Sequence, residues 1–286
     1  MARPGASKDR AESSRGRKSK RAADKKTAAR KRVYATFLKL ARMMKRNIHI
    51  DWREMDDDLP VYAIGDVHGM AGLLDRMLDL IEEDAARLEV PAHVVFLGDA
   101  INRGPDSRQV IERLVAGPRR PGDEWLVLRG NHEQALLDAL LDDEDFETFL
   151  HKGGVQTLQS YGISRKHMTR KEVRDSLPED HVAFLSSLPF SCRTRTHLFV
   201  HAGIRAGKAL KQQSPKDLMT LREPFFSAAA KLPWIVVHGH TPSAGQPVVA
   251  KGRIGVDTGA CMTGVLTAAV ICDGQPPRFL TAKAAD

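Results

Sequence analysis

Several short polar clusters in this chain could do chemistry. Asp66 and His68 stand in IGDVHG, Asp99 in FLGDAINRG, Asn131 and His132 in LRGNHE, His201 in FVHAG, and His238 and His240 in VVHGHT. Taken singly, each has a dull explanation. A strand-terminal Asp or Asn is normally a turn or helix cap, and a lone His is more often a hydrogen-bonded structural side chain than a ligand. Together, each beside a glycine at the end of an apolar run, they ask for a common purpose. Glycine permits close backbone approach and positive φ, which a crowded metal site needs. The donors are carboxylates, imidazoles and one amide, with no thiolate. That set suits divalent metals of intermediate hardness: manganese first, with iron or zinc as alternatives. Two ions about 3.5–4 Å apart need a bridging carboxylate. We assign the bridge to Asp99, one ion to Asp66 and His68, and the other to Asn131, His201 and His240. Water or hydroxide spanning the pair would have a lowered pKa and attack near neutral pH. A phosphoryl group, whose oxygens the ions also polarise, is the substrate that such a pair suits. Arg103 and Arg222 can fork onto its oxygens. In isolation both would read as surface arginines. His132 is placed to protonate the leaving oxygen.

The elements that must position these residues follow from the patterning. VYAIGD (61–66), HVVFLGD (93–99) and WLVLRGN (125–131) are short β-rich runs, and residues 73–88 and 107–117 between them have helical period. The alternation implies a parallel sheet core, with polar residues at the strand ends where open α/β sheets carry their sites. Residues 132–190 look mostly helical. Strands return at 197–203, 234–242, 253–260, 265–271 and 278–283.

Charge divides the chain. Its formal net charge is +8, but residues 1–50 hold 17 Lys/Arg against 3 Asp/Glu, whereas residues 51–286 hold 27 against 33. The basic balance therefore belongs to an N-terminal extension, and a nucleic-acid role for the remainder is not expected. Residues 1–26 carry too few large apolar groups to offset ordering entropy and read as disordered. Residues 27–46 place Val33, Phe37, Leu40, Ala41 and Met44 at helical spacing among Lys and Arg. That is a basic amphipathic helix, suited to docking on the domain or to an anionic membrane or acidic partner. The catalytic domain is expected over 59–284. No run approaches the roughly 18 apolar residues of a membrane span, and no apolar region follows the basic start as a secretory signal requires. Three cysteines without C-x-x-C spacing argue against a disulfide framework. A cytoplasmic location is the expectation.

The blocks GDVHG, GDAINRG, GNHE, HAG and HGHT, in this order and spacing, resemble the signature of the phosphoprotein phosphatase family of metallophosphoesterases, in its bacterial-type branch. Residues 151–162, 177–190, 221–226 and 256–271 extend the likeness. The resemblance implies a calcineurin-like α/β fold, two mixed β-sheets sandwiched with flanking helices (α/β/β/α). It implies a two-metal centre on the six donors above, His132 as general acid, and Arg103 and Arg222 on the phosphate. One departure matters. The family's second block usually carries an Asp where this chain has Asn102, and that acid pairs with the catalytic histidine. Asn102 would accept from the imidazole through its amide oxygen, without charge, leaving His132 with a lower pKa. Relatives that split symmetrical dinucleoside polyphosphates also lack the Asp. The stretches GGVQTLQSYG and PEDHVAFL favour the phosphoprotein branch, so the expected activity is serine/threonine protein phosphatase, acting on phosphorylated proteins. The alternatives are symmetrical dinucleoside-polyphosphate hydrolysis and a catalytically silent phosphate-binding scaffold.

Overall fold

The computed structural model describes residues 50–56 and 58–284. The expectations for residues 1–49, the disordered segment and the basic amphipathic helix, lie outside the described residues. The described chain begins with a two-residue strand, Arg53–Glu54 (β1), and then alternates: Val61–Ile64 (β2), Ala71–Arg87 (α1), His93–Phe96 (β3), Ser107–Ala116 (α2), Glu124–Val127 (β4). β2, β3 and β4 pair in parallel, as the βαβαβ pattern requires. Helices follow at Asn131–Ala139 (α3), Asp143–Phe149 (α4), Val155–Ser160 (α5), Arg170–Ser176 (α6) and Glu179–Ser187 (α7), so the helical reading of 132–190 is borne out. Then come Ser191–Arg193 (β5), His197–Val200 (β6), Pro215–Thr220 (α8), Phe225–Ala228 (α9), Ile235–His238 (β7), Val248–Ala250 (β8), Arg253–Gly255 (β9), Ala260–Thr263 (α10), Val265–Ile271 (β10) and Arg278–Lys283 (β11).

The strands form two mixed sheets. One runs β11-β10-β2-β3-β4; the other runs β1-β5-β6-β7-β9-β8. Their facing sides make the core: Val61, Ala63, Val95, Leu97 and Ala269 meet Cys192, Phe199, Val237, Ile254 and Val256, all buried. Successive strand residues point to opposite faces, so Tyr62 and Ile64 turn to the other side of the first sheet. α1 covers that side with Leu73, Leu74, Met77, Leu78, Ile81 and Ala85, one stripe at helical spacing. Each of the Leu, Met and Ile side chains, fully buried, contributes about 1.5–3 kcal/mol. Asp84 lies on the same stripe and is buried. A buried carboxylate needs partners. It accepts from Tyr62 Oη at 3.1 Å and is forked by Arg278 of β11 at 3.2 and 2.9 Å. These bonds tie β2, α1 and the edge strand together.

Two details differ from the sequence expectation. The strand expected over 253–260 stops at Gly255, because Val256–Gly259 turns: Asp257 Oδ1 accepts from the Gly259 N–H at 3.0 Å, and Thr258 Oγ1 donates to the Val265 carbonyl at 2.8 Å. β1, β5 and β8 were not anticipated. At two or three residues each, they carry too little alternation to register as strands. Among the described residues, no helix is long and apolar enough to cross a membrane.

Candidate metal centre

β2, β3 and β4 deliver Asp66/His68, Asp99 and Asn131/His132 just past their C-terminal ends; β6 and β7 deliver His201 and His240 from the other sheet. The two sheets thus converge on one spot. Asp66, His68, Asp99, His132 and His201 are all buried, and His240 is half-buried. The ligand atoms of His68, Asp99 and His132 lie within 4.8 Å of one another, and so do those of Asp99, His201 and His240. Asp99 belongs to both groups, as a bridging carboxylate would. His68 Nε2 sits 3.8 Å from Asp66 Oδ2 and 3.8 Å from Asp99 Oδ2. His201 Nε2 lies 3.3 Å from Asp99 Oδ2 and 3.2 Å from Asn131 Oδ1. The structure therefore brings all six proposed donors together.

Their orientation suits cations. His68 Nδ1–H donates to the Ile101 carbonyl and His201 Nδ1–H to the Leu97 carbonyl, both at 2.9 Å. Backbone carbonyls of this kind fix the tautomer of metal-binding imidazoles. The opposite nitrogen of His68 is buried without any hydrogen-bond partner. A lone pair left bare between two buried carboxylates is a polar atom in need of an ion. The backbone also crowds in as a metal cage demands. A Cβ on Gly130 would come 2.1 Å from Asp99 Oδ1, and one on Gly239 2.1 Å from Asp66 Oδ1. The donor set, the bare nitrogen and these cradles fit a pair of divalent ions.

Electrostatics point the same way. Burial, then Asp257, push the Asp66 carboxyl well above the usual carboxylate range. Burial works against the charge on Asp99 too, but His201, His132 and His68 hold that carboxyl well below it. Burial opposes a charge on His201, yet Asp99 and Asp66 overcome it and push the imidazole up to about 10. The carboxylates demand positive charge at their centre. Burial pushes His68 down to about 4 and, with His201, His240 down to about 3, so both present neutral lone pairs.

Strain is concentrated here. His68, Asp99, Asn102, Arg103 and His240 have φ between 46° and 72°, the left-handed region. Non-glycine residues in that region cost about 1–3 kcal/mol each unless the surroundings enforce them. Glu133 is one enforcer. Its buried carboxylate accepts the N–H groups of Asp99, Ala100, Ile101 and Gly130 at 2.9, 2.8, 3.3 and 2.9 Å. Sequence reasoning gave Glu133 and Asp257 no role. The signal for Glu133 was its place at the third position of α3, where a carboxylate reaches back to the cap.

Asn102 corrects an expectation. Its amide oxygen accepts from Thr157 Oγ1 at 2.7 Å, while its Nδ2–H donates to His132 Nδ1 at 2.8 Å. The amide oxygen therefore does not face the imidazole. A neutral imidazole has one lone pair. The 2.8 Å contact occupies it, so the ring proton sits on Nε2, and Arg103 Nη2 at 3.4 Å is a neighbour rather than a donor. Burial lowers the pKa of His132, and Arg103 and Lys152 add to the effect against Asp99. His132 N–H, in the first turn of α3, donates to Asp99 Oδ1 at 2.9 Å.

The arginines frame the opening. Arg222 donates from Nε to Thr241 Oγ1 at 3.1 Å and from Nη2 to the His240 carbonyl at 3.2 Å, which fixes it beside the second histidine group. Arg103 lines a cleft of about 390 Å³ with Asn131, His132, His151, Lys152 and Gly153. Among the described residues, no carboxylate lies within ion-pair distance of Arg103, Lys152 or Arg222.

Comparison with known proteins agrees with this geometry. The calcineurin-like phosphoesterase family model matches residues 59–261. A symmetrical bis(5'-nucleosyl)-tetraphosphatase of Methylococcus capsulatus is 32% identical over 149 residues, 51% of this chain and 44% of that protein. One from Legionella pneumophila (strain Corby) is 36% identical over 119 residues, 40% of this chain and 38% of that protein. The chain thus spans less than half the length of these curated relatives. The solved structure of a putative diadenosine tetraphosphatase superposes with a TM-score of 0.56 at 22% identity, covering 83% of this chain and 100% of that one, which speaks to the fold. With a family model that spans all of the site's donors, and two mixed sheets meeting at a carboxylate–imidazole cage, this chain belongs to the calcineurin-like phosphoesterases.

Proposed function

We propose that the chain is a metal-dependent hydrolase of phosphoanhydrides, with a symmetrical dinucleoside polyphosphate as its substrate. Asp66, His68 and Asp99 would hold one divalent ion, and Asp99, Asn131, His201 and His240 the other. Manganese is the expected ion; iron and zinc fit the same donors. Such ions polarise phosphoryl oxygens and acidify water. The remaining work falls to the chain's own groups. Arg103 and Arg222 bind and orient the phosphate, and His132 presents Nε2–H to the leaving oxygen.

The observation that carries the choice of substrate is the Asn102 contact on His132 Nδ1. A carboxylate in that place would stabilise the imidazolium, a strong acid. An amide N–H that donates to Nδ1 favours the neutral ring, a weak one. Departure of a serine alkoxide, a strong base, needs a strong general acid. A nucleoside di- or triphosphate leaves as a weakly basic anion and needs little help. The curated relatives bear names of anhydride hydrolases, which supports the same reading.

Of the stretches that favoured a phosphoprotein substrate, Gly153 alone lines the cleft. Tyr161 Oη of the first meets His181 Nδ1 of the second at 2.8 Å, and Thr157 of the first supports Asn102. Tyr161, Thr157 and His181 do not line the cleft: Tyr161 and His181 join the two stretches, and Thr157 acts on the site only by orienting Asn102.

The test compares kcat/KM for diadenosine tetraphosphate and for a phosphoserine peptide, with manganese. The expected preference for the anhydride is at least about tenfold, ~1.4 kcal/mol of differential transition-state binding. A preference for the peptide would restore the phosphoprotein reading, and no turnover of either would favour a silent scaffold. Asp99→Asn, by removing the shared carboxylate, should reduce turnover at least about a thousandfold and lower bound metal in elemental analysis.

A further inference from the structure

After α4, the chain does not continue as a regular helix. Leu150–Gly154 forms a π-type turn in which Lys152 leaves helical geometry (φ −84°, ψ 20°) and Gly153 turns left-handed (φ 85°, ψ 15°). This turn docks directly on the Arg103 loop. The Gly153 carbonyl accepts the Arg103 N–H at 3.2 Å. A Cβ at Gly153 would lie 2.9 Å from the Arg103 nitrogen and 3.1 Å from its Cγ. Only glycine permits that approach, and the approach sets His151 and Lys152 on the same cleft as Arg103, Asn131 and His132. His151 Nδ1–H is engaged by the Glu147 carbonyl at 2.7 Å, leaving Nε2 as its remaining polar atom.

The cleft therefore carries more fixed positive charge than one phosphate needs. Arg103 and Arg222 already flank the metal donors. Lys152 adds an ammonium to the cleft that Arg103 lines, and none of the three has a carboxylate partner among the described residues. Uncompensated cations at the mouth of a site are stabilised by the anion they receive. An ammonium is a compact point charge with three donors, suited to a phosphate that is held rather than transferred.

We propose that Lys152, assisted by His151, forms a subsite for the phosphate adjacent to the one at the metal centre, so that the site selects ligands with consecutive phosphates. This deepens the anhydride reading above and rests on it. A phosphopeptide would present a single phosphate and leave Lys152 without a second phosphate to bind.

Calorimetric binding of ADP and of AMP to manganese-loaded protein, at fixed free manganese, tests the subsite without relying on turnover. Lys152→Gln should weaken ADP about tenfold, ~1.4 kcal/mol, and AMP by no more than about threefold. His151→Gln should shift the same ratio in the same direction, less strongly. Both side chains are exposed, so neither variant threatens the fold. Equal weakening of ADP and AMP, or no change in ADP, would overturn the proposal, because Lys152 would then supply a diffuse field or nothing. So would a larger dependence on Lys152 for a phosphopeptide than for ADP. If the wild type failed to hydrolyse diadenosine tetraphosphate yet kept Lys152-dependent discrimination of ADP, the anhydride reading would fall and the subsite would stand.

Discussion

Under the proposed function, Asn102 sets how acidic the group facing the leaving oxygen can be, through its contact with His132. Asn102→Asp would replace an N–H donor on His132 Nδ1 with an acceptor. The lowered pKa of His132 should then rise, since a neighbouring carboxylate favours the charged imidazole. A raised pKa keeps the acid protonated to higher pH. The basic limb of the kcat–pH profile should move up, and turnover of a phosphoserine peptide should gain on the anhydride by about tenfold. An unmoved limb would show that Asn102 does not govern the proton. The donors themselves were legible in the sequence, because each combines a short apolar run, a glycine and a ligand-type residue. The setting of Asn102 was not. Its amide orientation depends on Thr157, which lies 55 positions further along, and no local pattern reveals such a partner. Glu133 was overlooked for a related reason: most of its backbone donors come from the Asp99 loop, over 30 residues away.

At the scale of elements, Asp84 joins α1 to β2 and β11. Arg278 and Tyr62 hold its carboxyl below the usual range against the effect of burial. A depressed native pKa means that the stabilisation is full above the unfolded carboxylate's value, about 3.9. It fades as pH falls from there toward the lower native value. Asp84→Asn should accordingly cost about 1–3 kcal/mol in urea unfolding at pH 7. The gap between variant and wild type should narrow below about pH 4. A gap independent of pH would assign the loss to packing instead. α1 itself was readable from its apolar stripe, and β2, β3 and β4 from their β-branched runs. β1, β5 and β8 were not readable, because strands so short are defined by the neighbour they pair with.

In the whole molecule, the site gathers buried acids that repel one another: Asp66, Asp99, Glu133 and Asp257 are all at most 3% exposed. Divalent ions bound only by the native state stabilise it by about 2.7 kcal/mol at a hundred times Kd. Chelation should therefore lower Tm by roughly 5–10 °C for a domain of this size, and manganese should restore it. A Tm indifferent to chelator would mean that ions do not occupy this cage. The two-sheet plan was anticipated from the resemblance, whereas the strand patterns located most of the strands but announced the pairing of β2, β3 and β4 alone. That division has a sequel. Asp66, His68, Asp99 and Asn131 hang from one sheet and His201 and His240 from the other, so the ion proposed for Asp99, Asn131, His201 and His240 cannot be gripped fully until both have met. Capture of that ion during refolding should thus belong to the closing of the sandwich and work as a latch on finished architecture, not as a seed around which the chain gathers.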